Sequence, residues 1–285
     1  MAFWILGLVW GTNFIFMKWA LVHLTPFQIV FFRLFLGFIP VLLYALVTRQ
    51  LDLSHLKYIG HFLVMSNLAA AVYYYLFVKG TGLLPSGIAG AVSGAIPLFA
   101  FILSVIFIPE EKLTRRKATG ILLGLLGVLI VARPFESHLS SETGEGVLYL
   151  ILGSLSIGAS FVYARRFITP LNIPSGALTT YQLGLASLLM LFVTDFSGVD
   201  QILTDHYALV GLVLGLGLLG TGLAFILYYY VVAQLGATTA SSATYIPPVV
   251  ALIIGVLLLD ETITALDWLA TGFIFAGVIL LRKKT

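Results

Sequence analysis

The 285 residues are 60% hydrophobic and 9% charged, against roughly one-quarter charged in a soluble domain, and the mean hydropathy is +1.08. A soluble globular fold is thereby excluded, and the formal net charge of +3 matters less than where the charges lie. Cysteine is absent, which excludes disulfides and thiolate metal sites.

A membrane-spanning helix needs roughly 20 apolar residues. Runs of that kind are predicted near 2–22, 26–48, 57–78, 84–107, 115–132, 145–164, 174–194, 206–231, 237–259 and 264–281. Prolines, glycines and charges punctuate them, from Pro26 and Arg49-Gln50 to Asp260–Thr264. Lipid admits only helices or closed barrels, so run length makes this an all-α membrane protein of ten transmembrane helices. The chain opens apolar at Ala2-Phe3-Trp4-Ile5 with no basic stretch before it, so a retained first helix is expected rather than a cleaved signal.

Basic residues orient the spans. With the N-terminus in the cytoplasm, the inner ends hold eleven: Arg49, Lys57, Lys112, Arg115, Arg116, Lys117, Arg165, Arg166, Arg282, Lys283 and Lys284. The outer ends hold three, Lys18, Lys79 and Arg133, beside Asp195, Asp200 and Asp205. Both termini are expected in the cytoplasm.

The chain also says itself twice. Tyr73-Tyr74-Tyr75 returns as Tyr228-Tyr229-Tyr230, followed by small-residue turns at Gly80-Thr81-Gly82 and Gly236-Ala237-Thr238. Pro97 precedes Glu110, and Pro248 precedes Glu261, each by 13 positions (110 − 97 and 261 − 248). Trp10-Gly11-Thr12-Asn13-Phe14 lines up with Ile157-Gly158-Ala159-Ser160-Phe161, and Lys18 with Arg165. Five spans per copy is an odd number, so the second copy is expected upside down: residues 1–133 form one five-helix repeat, 134–146 a connecting loop and 147–285 its inverted partner. Inverted repeats place a binding site near the membrane mid-plane and permit two mirror-related access states.

The Trp10-to-Phe14 opening, the proline-to-glutamate spacing and the Gly-rich fifth and tenth spans resemble the drug/metabolite transporter superfamily over the whole length, specifically EamA-type ten-helix permeases. Within it the likeness is nearest to YddG-like exporters of aromatic amino acids. The resemblance implies a cavity lined by spans 1–4 and 6–9, in a bacterial inner membrane, with a small-molecule substrate. The second copy departs from the motif at Ile157 and Ser160, which implies an asymmetric substrate position.

Several polar and aromatic residues are candidates for lining that cavity. Asn13 sits mid-span, where an unpaired amide is costly, and shares a helical face with Trp10 and Met17. It either lines the cavity or makes an inter-helix hydrogen bond. Arg33 lies seven residues into span two, roughly 10 Å deep. It binds a substrate carboxylate, snorkels outward, or caps backbone carbonyls. Gln182 is its inverted counterpart on span seven. Asn67 and Tyr74 on span three match Thr221 and Tyr228 on span eight, which makes Tyr74, Tyr228 and Tyr229 candidates for outer and inner gates against the alternative of an interfacial belt. Pro97, Pro247 and Pro248 remove donors mid-helix, and Ser93, Thr244 and Tyr245 lie within a turn of them. Glycine pairs Gly7/Gly11, Gly90/Gly94, Gly120/Gly124 and Gly211/Gly215 read as close helix contacts. The pair Gly120/Gly124 also suggests a dimer face, so the chain is expected as a monomer or homodimer.

All twelve acidic residues fall at span ends or in loops. Proton-driven carriers commonly keep a carboxylate or histidine at depth, and His61 is the one partial candidate, so facilitated diffusion is expected. Phosphates would want several buried cations and cationic drugs a buried carboxylate, which leaves small zwitterions or neutral aromatics. Nucleobases or drugs moved with proton coupling form the alternative. Catalysis, with Ser160 as nucleophile and His206 as base, is disfavoured because the two lie toward opposite membrane faces, whereas such a pair must be within roughly 3 Å. No cofactor, metal or nucleic acid is expected.

Overall fold

Apolar runs in lipid must satisfy their backbone groups internally. The computed structural model describes residues 1–108, 113–132, 141–235, 243 and 246–281, and these are helical with no strand among them. Helix α1 is Ala2–Leu21 and α2 is Pro26–Val47. The latter starts at a capping box, in which Thr25 accepts from the Gln28 backbone and the Gln28 side chain from that of Thr25. Helix α3 runs through Ile59–Ser66, a π-helical turn Asn67–Ala71, and Val72–Leu83. Helix α4 is Ser86–Ser93 and Ile96–Phe107, α5 is Arg115–Ala132, and α6 is Ser141–Tyr163 with a π turn Ala164–Ile168. Helix α7 is Ser175–Val193. Helix α8 comprises His206–Val210, the π stretch Gly211–Leu223 and Ala224–Leu235. Helices α9, Ile246–Leu258, and α10, Ala265–Leu281, complete the chain. Among the described residues seven helices (α1–α4 and α6–α8) are long and apolar enough to cross a membrane, and α9 and α10 are shorter apolar helices.

The principal packed pairs are α5 with α10, α4 with α9, α2 with α7, α2 with α8, α3 with α7, α3 with α6, α1 with α8, α1 with α9, and α4 with α6. Exchanging each helix for the one five places along leaves this set unchanged. Glycines set the approach: a Cβ on Gly11 would strike Val250, and one on Gly90 would strike Ala251, so α1 and α4 both lie tight on α9.

Three sequence expectations change here. Gly80-Thr81-Gly82 is helical and the turn comes after Leu83. Gly80 is small because a Cβ there would sit 2.9 Å from the Gly146 carbonyl oxygen and 2.8 Å from Leu150 on α6. Pro97 follows a mid-span interruption of α4, where Gly94 and Ala95 separate Ser86–Ser93 from Ile96–Phe107, and it stands in the first turn of the second segment, where the missing N–H costs nothing. Pro247 and Pro248 stand in the first turn of the segment beginning at Ile246, and residues 244–245 before it lie outside the described residues. The Gly120/Gly124 face is already occupied within the chain, since a Cβ on Gly277 would lie 2.5 Å from the Gly120 carbonyl oxygen and 2.6 Å from the Gly124 nitrogen.

Candidate functional site

Helix α2 carries Arg33, whose residue is 4% exposed. A guanidinium cannot shed its charge at this depth, so its partners define the site. Nε donates to Thr221 Oγ1 on α8 over 3.1 Å. The guanidinium carbon lies 3.9 Å from the centroid of the Tyr74 ring on α3, a cation–π contact. With the Asn13 amide oriented to satisfy both of its ends, its oxygen accepts from Arg33 Nη2 over 3.0 Å and its nitrogen donates to the Val9 carbonyl over 3.3 Å. Three candidates, on α1, α3 and α8, therefore meet around the cation that α2 carries. Every one of these partners is neutral, and no carboxylate pairs with Arg33 among the described residues.

Local backbone explains the fit. A Cβ on Gly37, one turn from Arg33, would lie 2.5 Å from Thr221 Cγ2, and one on Gly220 would strike the Asn13 amide. Thr221 lies near the end of the wide-turn segment Gly211–Leu223 and donates to the carbonyl of Leu216, five residues back, over 2.9 Å. Such π segments concentrate at functional sites.

The remaining candidates bond or pack elsewhere. Met17 is buried in the main apolar core, which Tyr74 shares. Trp10 packs its ring 6.1 Å from that of Tyr228. Ser93 donates to the Gly90 carbonyl over 2.6 Å and Ser160 to that of Ile157 over 2.7 Å, so both hydroxyls are spent on their own helices. Asn67 is exposed and donates to Leu63 O over 2.9 Å. Gln182 is buried and makes no hydrogen bond among the described residues. The Tyr229 side chain, Thr244, Tyr245 and Glu110 lie outside the described residues. His61 Nδ1 is 2.7 Å from the Tyr163 hydroxyl.

Sequence reading missed the ties at the predicted outer end. Glu261 accepts from the backbone nitrogens of Ser86 over 2.6 Å and Gly87 over 3.1 Å, and from the Ser86 hydroxyl over 2.9 Å. The conspicuous glutamate thus caps the start of α4 from the opposite end of the chain, which suits an anion at a helix N-terminus. His23 Nε2 lies 3.0 Å from Asp205 Oδ2. Asp205 also accepts from Ala208 N, and that bond with the His23 contact holds its carboxyl below the usual range. Gln28 Nε2 donates to the carbonyls of Asp195 over 2.7 Å and Ser197 over 3.1 Å. The signal for all of these was polarity at span ends, with partners that spacing does not reveal.

Two clefts border α2 and α8. One of about 320 Å³ lies between α2, α7 and α8 and is lined by Val41, Tyr44, Ser175, Gly176, Thr179, Phe225, Ile226 and Tyr230. Another, of about 410 Å³, lies toward Asp200 among Phe32, Leu36, Leu203 and Leu212.

The family model for the EamA-like transporter family matches residues 1–133 and 144–283. The transporter YoaV of Bacillus subtilis (strain 168), described as uncharacterised, is 26% identical over 273 residues, covering 96% of this chain and 92% of that one. YdfC of the same organism, likewise described, is 30% identical over 277 residues, covering 97% and 88%. The uncharacterised inner membrane transporter YedA of Escherichia coli (strain K12) is 28% identical over 287 residues, covering 98% and 89%. A solved crystal structure at 20% identity superposes with a TM-score of 0.65 over 98% of this chain and 95% of its own, a likeness of fold alone.

Proposed function

This chain belongs to the EamA-like transporter family and is an integral membrane transporter, and from that premise we propose that it exports small metabolites, foremost aromatic or hydrophobic amino acids, by alternating access through a central cavity. The two states arise from two inverted five-helix repeats, 1–133 and 147–285, joined through 134–146. Transport is facilitative, both termini are cytoplasmic, and the membrane is the bacterial inner one. Nothing in this reading requires a catalytic step, a cofactor or a metal.

The observation that carries it is the Arg33 cluster. It ties α1, α2 and α3 to α8 of the second half through Thr221, so its making and breaking changes how the halves meet. The self-consistent set of packed pairs supports equivalent halves, and the basic-residue asymmetry supports the orientation. Substrate identity rests on elimination: among the described residues Arg33 is buried well inside α2, whereas the buried Asp267 lies in the first turn of α10 at a span end, and a deep cation without a carboxylate at its depth suits a zwitterion.

Side-specific labelling tests the architecture, because single cysteines enter a chain that has none. A Ser141→Cys variant is expected to react with an impermeant reagent from outside, and Thr114→Cys only after the membrane is opened. The reverse pattern would overturn the inverted arrangement.

A further inference from the structure

We propose that the cleft between α2, α7 and α8 is the cytoplasm-side approach to Arg33, and that the two together take a carboxylate with an apolar body: the carboxylate on the guanidinium, the body among the cleft's aromatic rings. This rests on the transport reading above and specifies what its site recognises.

The path follows from helical spacing. Arg33, Gly37, Val41 and Tyr44 recur on one face of α2; the last two line the cleft and the first is the cation. The eight residues from Arg33 to Val41 correspond to about 12 Å along the axis. On α8, Thr221 bonds Arg33 and Phe225, one turn on, lines the cleft. Between cleft and cation α2 and α8 meet at Gly37 against Thr221 and at Pro40 against Gly222, contacts that hold no large flexible side chain. Sliding α8 away from α2 therefore opens the cleft onto Arg33.

The chemistry of the walls selects the ligand. Two of the five guanidinium donors are used, both by neutral acceptors, and a buried cation without an anion is costly unless one arrives. A carboxylate matches the planar donor fork. A second observation lies on α7: Thr179, 1% exposed and part of the cleft wall, has a hydroxyl with no hydrogen-bond partner among the described residues. Gln182, one turn deeper, is likewise unbonded there. Tyr44, Phe225 and Tyr230 supply rings for an apolar body.

The test uses the full chain in lipid nanodiscs with a single Ser175→Cys reporter at the cleft. Protection from a thiol reagent is measured with L-phenylalanine and L-phenylalaninamide, and with L-leucine and L-leucinamide. The acid of at least one pair is expected to protect at tenfold or more lower concentration than its amide, with the difference abolished by Arg33→Gln and partly kept by Arg33→Lys. Equal protection by acid and amide, protection unchanged in Arg33→Gln, or no protection by any of the four would overturn the proposal. Labelling of Ser141→Cys and Thr114→Cys in the same preparation judges the transport architecture separately. A folded Arg33→Gln variant is identified by that labelling pattern together with an unchanged elution profile.

Discussion

Arg33 and Thr221 are 188 positions apart in sequence and 3.1 Å apart in space, joined by an Nε–H to hydroxyl hydrogen bond within the helix bundle. Thr221 in turn donates to Leu216 O, so the bond that links the two halves ends in a wide helical turn. Inter-helix hydrogen bonds in membranes contribute on average about 0.6 kcal/mol and at most about 1.7. A Thr221→Val substitution is therefore expected to cost about 1 kcal/mol of thermal stability. It should also raise cytoplasm-side accessibility several-fold, since a change of that size re-weights two states only a few kcal/mol apart. Differential labelling of a Ser175→Cys reporter at the α2–α7–α8 cleft measures it, and unchanged accessibility with lowered stability would make the bond a packing tie alone.

Tyr74 is expected to work through its ring. Tyr74→Phe keeps the face beneath the Arg33 guanidinium and should leave accessibility near that of the parent. Tyr74→Ala removes a contact worth about 0.5–2 kcal/mol and should favour the outward-open form. Tyr228→Ala, which loses the packing against Trp10, should favour the inward-open form, with Tyr229→Ala in the same direction. Opposite signs in side-specific labelling support paired gates; equal signs do not.

Gly37 offers a test through shape. A Cβ there would lie 2.6 Å from Thr221 Cβ and 3.2 Å from the Gly217 carbonyl oxygen, so Gly37→Val must push α2 from α8. The expected result is loss of the Arg33–Thr221 bond and a drop in transport of more than tenfold. A thermal melt cannot separate this from misfolding, so the readout is the Ser141 and Thr114 labelling pattern, which should persist.

Much of this fold was legible because lipid imposes a strict rule: roughly 20 apolar residues per span, interrupted where Pro26, Arg49 or Asp205 occur. The internal likeness was legible in the Pro-to-Glu spacing, and the set of packed helix pairs is unchanged when each helix is exchanged for the one five places along. What spacing cannot show is which helices meet. Asn13, Arg33, Tyr74 and Thr221 were each candidates, but their convergence depends on α2 packing against α8. Asn67 looked equivalent to Thr221 by spacing, yet its amide turns back to Leu63 O, because a neighbouring carbonyl one turn away outcompetes a distant partner. Gly80 read as a turn because glycine is permissive in turns, whereas a close neighbouring helix demands the same small residue.

Acid should loosen the outer tie between α1 and α8. The Asp205 carboxyl is held low by the Ala208 N–H and His23. A depressed carboxylate contributes stability that is full above its ordinary pKa, about 3.9, and is lost as pH falls through its lower folded value. The tie is thus expected to be intact from neutrality down to about pH 4 and to fail only below it. Asp205→Asn should give at neutral pH the labelling of a cysteine placed at His206 that the parent shows in acid. An acid transition unchanged in Asp205→Asn would assign it to another group.

The most direct measurement is counterflow in liposomes with the purified chain. Vesicles loaded with unlabelled amino acid are expected to accumulate the labelled one transiently with no imposed pH gradient, and Arg33→Gln should reduce the rate at least tenfold. Uptake indistinguishable from empty vesicles across a panel of aromatic and branched amino acids would contradict the account. So would accumulation that appears only when a pH gradient is imposed, and that result would direct attention to His61 and its 2.7 Å contact with Tyr163.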